Sequence, residues 1–248
     1  MIELKNVSRF YGNTRALGDV NLTIGPGEII GLFGENGAGK TTLMKSILGL
    51  TRSRGEITLD GEKINRKNIA RLSFATCEHS FFPNLSPAGH AEFYAAHFEH
   101  FRAKRFHGLM EFFGLPMNKK LRSFSTGQQN QFEVIMALCQ GAEFILMDEP
   151  FAGNDVFNRE DFYKVLLGIL EPEETVLLST HLIEEVSGFI GRAILIRQGN
   201  IIGDELVSEL EEQGISLMDY VKERYAYRAD RVSRALSELC GEEDEGDA

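Results

Sequence analysis

Two glycines, a lysine and a hydroxyl residue stand at fixed spacing near the start of this 248-residue chain, in the segment Gly34-Glu35-Asn36-Gly37-Ala38-Gly39-Lys40-Thr41-Thr42. Glycines let successive backbone N–H groups point into one concavity, and the amino end of a following helix adds partial positive charge. In such a loop Lys40 reaches the β- and γ-phosphates, and the Thr41 hydroxyl binds Mg²⁺. The segment therefore predicts a nucleoside triphosphate site. Its other expected contacts are Gly34, Asn36, Gly37, Gly39 and Thr42.

A pair of carboxylates, Asp148 and Glu149, follows the apolar run at residues 144–147. A carboxylate at the end of a central strand lies beside the phosphate loop in a doubly wound sheet. We expect Asp148 to hold Mg²⁺ through water, and Glu149 to orient or deprotonate the attacking water. The tripeptide Asp-Glu-Pro is also a common turn at the end of a strand, so this interpretation depends on the phosphate loop.

Two further polar positions each have a structural and a functional interpretation. The segment Ser125-Thr126-Gly127-Gln128 has the spacing of a capping box, so it could only start a helix. A capped helix start with a glycine also presents N–H donors to an anion. His181 follows the apolar run at residues 175–178, where it could donate to a γ-phosphate or serve as a structural residue.

The elements that must position these residues alternate between short apolar runs and helical stretches. Continuous apolar runs indicate strands buried on both faces of a mainly parallel sheet. Shorter strands are predicted nearer the N-terminus, at residues 2–4, 20–24 and 55–61. The strand at 55–61 ends in an Asp60-Gly61 turn. The predicted fold is α/β: a phosphate-loop NTPase core, an N-terminal antiparallel β subdomain and an α-helical insert. The predicted buried strands are residues 144–147, 175–178 and 193–196, and further strands are predicted at 28–33 and 72–76.

We predict three parts along the chain. Residues 1–78 and 141–204 form the nucleotide-binding core, and residues 79–140 form the Phe-rich helical insert. Residues 205–248 form a C-terminal extension, with helices at 205–212 and 217–239 and an acidic tail.

The amino-acid composition limits the classes of function that fit this chain. The net charge of −11 argues against nucleic-acid binding, which needs a positive footprint. No apolar stretch approaches the roughly 20 residues of a membrane helix, and the start lacks the pattern of a signal peptide. Isolated Cys77, Cys139 and Cys240 indicate free thiols in a reducing cytoplasm. Four of the five histidines in the insert follow one another at spacings of seven, three and seven residues, but no cysteine or carboxylate cluster completes a tetrahedral metal set. These are His90, His97, His100 and His107.

The ordered motifs over roughly residues 1–205 resemble the ATP-binding cassette (ABC) family of ATPases. The resemblance implies ATP and Mg²⁺ as ligands, with Tyr11 stacking on adenine. It also implies a head-to-tail dimer with a second, identical or different ABC subunit. Ser125, Gly127 and Gln128 would complete the ATP site of the opposite subunit, and Asp155 would lie in a loop crossing the interface.

Three positions depart from the family pattern. Glu78 stands where glutamine is usual; it could still touch Mg²⁺ or the attacking water, but it adds negative charge beside the triphosphate. Thr126 replaces a glycine, and Asn154 replaces an apolar residue. Beside Glu78, residues 81–85 are a candidate groove for a membrane subunit's cytoplasmic helix, although most of the phenylalanines could form the insert's own core.

The resemblance implies the detached ATPase subunit of a transporter. We expect it in the cytoplasm, peripheral on the inner face of the cell membrane through an integral membrane partner. The Glu78 loop and the short insert are similar to those of two-component exporters, whereas importers share the core motifs. The alternative is a soluble ABC ATPase acting on a ribosome or another non-membrane partner. A phosphate-loop kinase or GTPase would leave Ser125, Gln128 and His181 unexplained.

Overall fold

Two sheets and the helices around them make up the computed structural model, which describes residues 1–150 and 156–226, with only the backbone of residues 156–161. The strands are β1 Ile2–Tyr11, β2 Thr14–Ile24, β3 Ile29–Phe33, β4 Arg54–Leu59, β5 Glu62–Lys63, β6 Leu72–Thr76, β7 Phe144–Asp148, β8 Thr175–Ser179, β9 Arg192–Arg197 and β10 Asn200–Leu206. The helices are α1 Lys40–Ile47, α2 Pro87–His97, α3 Ala103–Phe112, α4 Thr126–Cys139, α5 Val156–Ile169, α6 Ile183–Val186, α7 Val207–Glu212 and α8 Leu217–Arg224.

The larger sheet has the strand order β10-β9-β3-β8-β7-β6. All neighbours pair in parallel except β10, which runs antiparallel to β9. Every residue of β7 and β8 is buried, as the continuous apolar runs predicted. Because β3, β8 and β7 are adjacent and parallel, their carboxyl ends meet at one edge of the sheet.

The smaller sheet is antiparallel, in the order β2-β1-β4-β5. Its first two strands are longer than predicted, because shifts of register in β1 interrupt the alternation on which a strand is recognised. The predicted turn joins β4 to β5, with φ angles of 51° at Asp60 and 80° at Gly61. Tyr11 is the last residue of β1, just before the two residues that lead into β2.

Two apolar cores fill the fold. One includes Phe33, Phe106 and Phe132 and joins the larger sheet to the helices between β6 and β7. The other includes Leu4 and Leu43 and joins the smaller sheet, α1 and the opposite face of the larger sheet. Most phenylalanines of the insert pack into or against the first core. The clearly exposed ones are Phe82, Phe93 and Phe112.

The C-terminal part differs from the prediction in two places. Residues 205 and 206, predicted to be helical, end β10, so the helix begins only at Val207. The predicted helix at 217–239 ends at Arg224, and Ala226 follows with a φ of 50°. The rest of that prediction, the acidic tail and Cys240 lie outside the described residues.

Within the described ranges, 1–150 and 156–226, no helix combines the length and apolar character that crossing a membrane requires. Cys77 and Cys139 are free thiols, as predicted.

Candidate nucleotide site

The phosphate loop connects β3 to α1 and requires glycine on steric grounds. Gly39, the N-cap of α1, has a φ of 115°, and a Cβ placed there would lie 2.7 Å from the Ala16 carbonyl oxygen. A Cβ on Gly34 would lie 2.6 Å from the Ile196 carbonyl oxygen. The loop, including Asn36, Gly37 and Thr42, lines a cavity that extends to Asp148 and Glu149. The loop therefore has the shape and the helix N-terminus of an anion site.

Lys40 lies at the mouth of this loop, with only 6% of its side chain exposed. Its Nζ donates to the carbonyl oxygens of Gly34, at 2.7 Å, and Glu35, at 3.3 Å. The ammonium group also lies 3.6 Å from Glu149 Oε1. These carbonyl groups of the loop thus hold the Lys40 ammonium where the phosphate oxygens of a nucleotide would bind.

Asp148 forms a chain of hydroxyl–carboxylate contacts beside the loop. Thr41 Oγ1 donates to Asp148 Oδ2 at 2.5 Å, and Ser179 Oγ donates to Asp148 Oδ1 at 2.6 Å. The parallel register of β7 and β8 places Asp148 opposite Ser179. Hydroxyl and carboxylate oxygens are the ligands that Mg²⁺ prefers, so Thr41 and Asp148 fit the predicted metal role.

Glu149 is held in a strained backbone conformation, with a φ of 47°. Its N–H donates to the backbone oxygen and to the hydroxyl of Ser179, both at 3.1 Å. Its Oε2 lies 2.9 Å from Nδ1 of His181, whereas its buried Oε1 has no hydrogen-bond partner among the residues that the structure describes. A buried carboxylate oxygen without a donor, facing the Lys40 ammonium, is suited to receive a proton from an external water.

Tyr11 is the last residue of β1. Its ring is 48% exposed, and the Arg9 guanidinium lies 4.4 Å from the ring centroid. A hydrogen bond with Thr51 lowers the pKa of the Tyr11 hydroxyl against the opposing effect of burial, and Arg9 and Thr42 add to the lowering. About half of the Tyr11 surface stays accessible to a ligand.

Glu78 follows β6, and its carboxylate is 69% exposed. Its Oε2 accepts a hydrogen bond from Lys45 Nζ of α1 at 2.7 Å. The structure thus joins Glu78 to α1 and not to the Thr41–Asp148 contact. Its role at Mg²⁺ or water stays a prediction.

The capping box at the start of α4 is confirmed. Ser125 Oγ accepts from the Gln128 N–H at 3.3 Å, and Gln128 Oε1 accepts from the Ser125 N–H at 3.0 Å. Ser125 is exposed, and Gly127 lies in the first turn of the helix. Asp155 lies outside the described residues.

The histidines of the insert have local roles. His90 is buried; its Nδ1 lies 2.9 Å from the Ser86 carbonyl and its Nε2 accepts from the Phe82 N–H at 3.0 Å. Burial lowers the pKa of His90, against a smaller raising effect of its contact with Ser86. Nδ1 of His97 and of His107 each lies 2.7 Å from a carbonyl of its own helix. In the described part of the chain, no group of three or more His, Cys, Asp or Glu side chains could hold a metal.

Ser179 is the functional residue that sequence reasoning missed. It orients both Asp148 and Glu149, yet in the sequence it is one polar residue at the end of an apolar run. Its position before His181, at the end of a buried strand, was the available signal.

A glycine loop at a helix start, a hydroxyl–carboxylate pair and a glutamate–histidine pair, all at the carboxyl ends of parallel strands, define a phosphate-loop nucleotide hydrolase. The chain belongs to the ABC transporter family, whose sequence model matches residues 17–152. The resemblance inferred from its motifs is confirmed.

Curated relatives agree with this assignment. The chain is 31% identical over 218 residues to the lipopolysaccharide export system ATP-binding protein LptB of Escherichia coli K12, covering 83% of this chain and 90% of LptB. It is 30% identical over 217 residues to the ABC transporter ATP-binding protein NatA of Bacillus subtilis, covering 82% and 88%. It is 27% identical over 242 residues to YtrB of the same organism, covering 96% and 80%.

Solved structures agree as well. The dimeric bacterial ABC transporter cassette MJ0796 superposes with a TM-score of 0.73 at 26% identity, covering 84% of this chain and 99% of that one. A post-hydrolysis state of MJ0796, bound to ADP and phosphate, gives 0.73 at 25% identity with the same coverage. The predicted fold class is confirmed, and the chain is an ATP-binding ABC ATPase of the kind that powers transporters.

Proposed function

We propose that this chain energises a membrane transporter by hydrolysing ATP between two cassettes, which close on ATP and reopen after hydrolysis. The observation that carries the proposal is the buried Oε1 of Glu149, which accepts no hydrogen bond from the described residues and lies 3.6 Å from the Lys40 ammonium, with His181 beside the other carboxylate oxygen. Such an atom is what a general base needs before the substrate and its attacking water are bound.

Each residue of the site has a part in this reaction. Lys40 and the loop N–H groups bind the β- and γ-phosphates, and Glu149 accepts the proton of the attacking water. His181 holds Oε2 of Glu149, 2.9 Å away, and so orients Oε1 toward the attacking water. Mg²⁺, held by Thr41 and Asp148, would neutralise phosphate charge. Tyr11 stacks on the adenine.

One subunit supplies only part of each ATP site. Ser125, Gly127 and Gln128 begin a helix whose capped N-terminus is exposed, so they are available to the phosphates of a second subunit. The dimeric state of MJ0796 supports this arrangement. Asp155 would lie in the loop between the two subunits. The second subunit is a copy of this chain or a close relative.

The aromatic surface formed by Phe82 and Phe93 is the proposed contact with the membrane subunit. Phe82 is 52% exposed and Phe93 is 37% exposed, and their ring centroids lie 5.4 Å apart. Phe81 packs against the first core and so belongs to the insert itself. A helix of the membrane partner laid on this surface would hold the ATPase at the inner face of the membrane.

We propose export as the direction of transport, from the loop around Glu78 and the short insert. LptB and a Nod factor ATP-binding protein are named as export components. A ribose import ATP-binding protein also matches, at 26% identity, so the direction depends on the partner.

The test is Glu149→Gln in the full chain. Because the amide cannot accept the proton, we expect turnover to fall roughly 100-fold or more while ATP still binds. The variant should accumulate as an ATP-bound dimer, measured by calorimetry, phosphate release and size-exclusion chromatography. Glu143→Gln is the control. Glu143 immediately precedes β7, whereas Glu149 immediately follows it, so this variant should hydrolyse ATP at the normal rate. Normal turnover in Glu149→Gln would remove the general base from the proposal.

A further inference from the structure

Glu133 of α4 is a buried acid that the reaction above does not use. It is 3% exposed, and its Oε1 accepts hydrogen bonds from the Ser80 N–H at 3.0 Å and from the Ser80 hydroxyl at 2.5 Å. Burial raises the pKa of Glu133 to about 7, although both bonds from Ser80 lower it. An acid at such a costly position suggests a specific task.

Ser80 belongs to residues 77–82, which we call the connecting loop because it leads from β6 into the helical insert. The loop begins at the ATP site, where Cys77 Sγ donates to the Glu149 carbonyl oxygen at 3.1 Å and Glu78 pairs with Lys45. It ends on the insert, where the Phe82 N–H donates to the His90 ring at 3.0 Å. Glu133 binds the middle of the loop.

We propose that Glu133 is a positioning residue that fixes the connecting loop to α4, so that Glu78 moves with the helical insert. The inference rests on the proposed role of Glu78 in the ATP site. The same helix is capped by Ser125, eight residues before Glu133, at the end proposed to meet the second subunit's ATP. One rigid helix, α4, therefore connects Glu78, which is proposed to act on the subunit's own ATP, with Ser125, which is proposed to act on the partner's ATP.

Burial and geometry explain why an acid does this work. A single oxygen of the buried Glu133 carboxylate accepts both polar hydrogens of Ser80, so removing that acceptor removes both hydrogen bonds between the connecting loop and α4. Glutamine at this position keeps an oxygen of the same shape, whereas leucine fills the space and offers no acceptor. The two substitutions therefore separate hydrogen bonding from packing.

The first experiment measures the attachment itself in the full chain by amide hydrogen exchange. Glu133→Leu should speed exchange of the Ser80 N–H about tenfold, while Glu133→Gln should leave it near the wild-type rate. Should leucine destabilise the whole fold, Ser80→Ala removes one of the two bonds without touching α4. It should raise exchange at the same amide by a smaller factor. Unchanged exchange in Glu133→Leu would overturn the attachment.

The second experiment asks whether the attachment acts through Glu78. Glu133→Leu should lower kcat about tenfold and leave the KM for ATP within about twofold, because Lys40 and Tyr11 are not touched. In a Glu78→Ala background, Glu133→Leu should cause no further loss, since the group that it positions is absent. Glu133→Gln should restore kcat. Ile135→Val, also buried in α4, is the control whose effect should add to that of Glu78→Ala.

Additive losses, or equal losses with glutamine and leucine, would reduce Glu133 to a packing residue and overturn the proposal. Wild-type kcat in Glu78→Ala would also overturn it. That result would leave the hydrolysis assigned to Glu149 standing, because the Glu149→Gln measurement tests it separately.

Discussion

Ser179 controls the geometry of both acidic residues of the site although it touches no phosphate in the proposed reaction. Its hydroxyl donates to Asp148 and accepts from the Glu149 N–H. Because Glu149 has a left-handed backbone, this contact stabilises a conformation that a non-glycine residue adopts only at a cost.

We expect Ser179→Ala to lower turnover roughly 10- to 100-fold, as loss of an orienting partner of a metal ligand does. The free energy of unfolding should fall by about 1 kcal/mol for the lost hydrogen bonds. The measurements are steady-state ATP hydrolysis and urea unfolding. Ser73→Ala is the matched control, because Ser73 is also buried in the larger sheet but its hydroxyl has no hydrogen-bond partner within residues 1–150 and 156–226. Equal effects of the two substitutions would show that Ser179 does not orient the site.

Glu133 makes stability depend on pH. Its pKa is about 7 in the folded chain against 4.5 for the ordinary group, so the native state holds the extra proton between these values. Stability is therefore highest below about pH 4.5 with respect to this group and falls as the pH rises through 7. The loss is on the order of 3 kcal/mol.

Glu133→Gln should remove this dependence. The variant should match the wild type near pH 5 and exceed its free energy of unfolding near pH 8, measured by urea unfolding at both values. A wild-type advantage at pH 8 would contradict the buried, proton-holding state of Glu133.

The N-terminus of α4 has one structural role and one proposed functional role. The capping box satisfies the helix's own N–H groups, and the same turn is proposed to meet the ATP of a second subunit. Aspartate caps a helix about as well as serine, but its carboxylate would repel phosphate.

Ser125→Asp should therefore keep the melting temperature near that of the wild type and strongly reduce turnover, measured by calorimetry and phosphate release. Ser86→Asp is the control, because Ser86 caps α2 in the same way, by accepting from the Gly89 N–H at 3.2 Å. Full turnover in Ser125→Asp would mean that this residue is a cap and nothing more.

The sequence predicted those elements whose local pattern matches their burial. β7 and β8 were recognised because they are buried on both faces, and the cap of α4 because its residues lie three apart. β10 was missed, since it pairs only with β9 and its residues are only partly buried or exposed. The contact of Ser179 with Asp148 depends on register between strands 31 residues apart, which no local pattern encodes.

At the scale of the whole molecule, the proposed membrane contact is the clearest feature to test. We expect the double substitution Phe82→Ala and Phe93→Ala to abolish recovery of an integral membrane protein by affinity isolation in mild detergent. Basal ATP hydrolysis should persist, because neither ring lines the nucleotide cavity. Phe112→Ala, on an equally exposed phenylalanine of α3, is the control.

Recovery of the same membrane protein by the double variant would place the contact elsewhere on the subunit. Recovery of ribosomes in place of a membrane protein by the wild type would favour the soluble alternative.

The ion pair between Lys45 and Glu78 changes the electrostatic effect of having a glutamate at position 78, where the family usually has a glutamine. Glutamine is neutral, and a glutamate balanced by an ammonium group 2.7 Å away is a dipole with no net charge. The site therefore receives the triphosphate without an added repulsive field, at the expense of tying α1 to the connecting loop. Salt weakens such an exposed pair. Raising the ionic strength should therefore loosen the attachment of the connecting loop to α1.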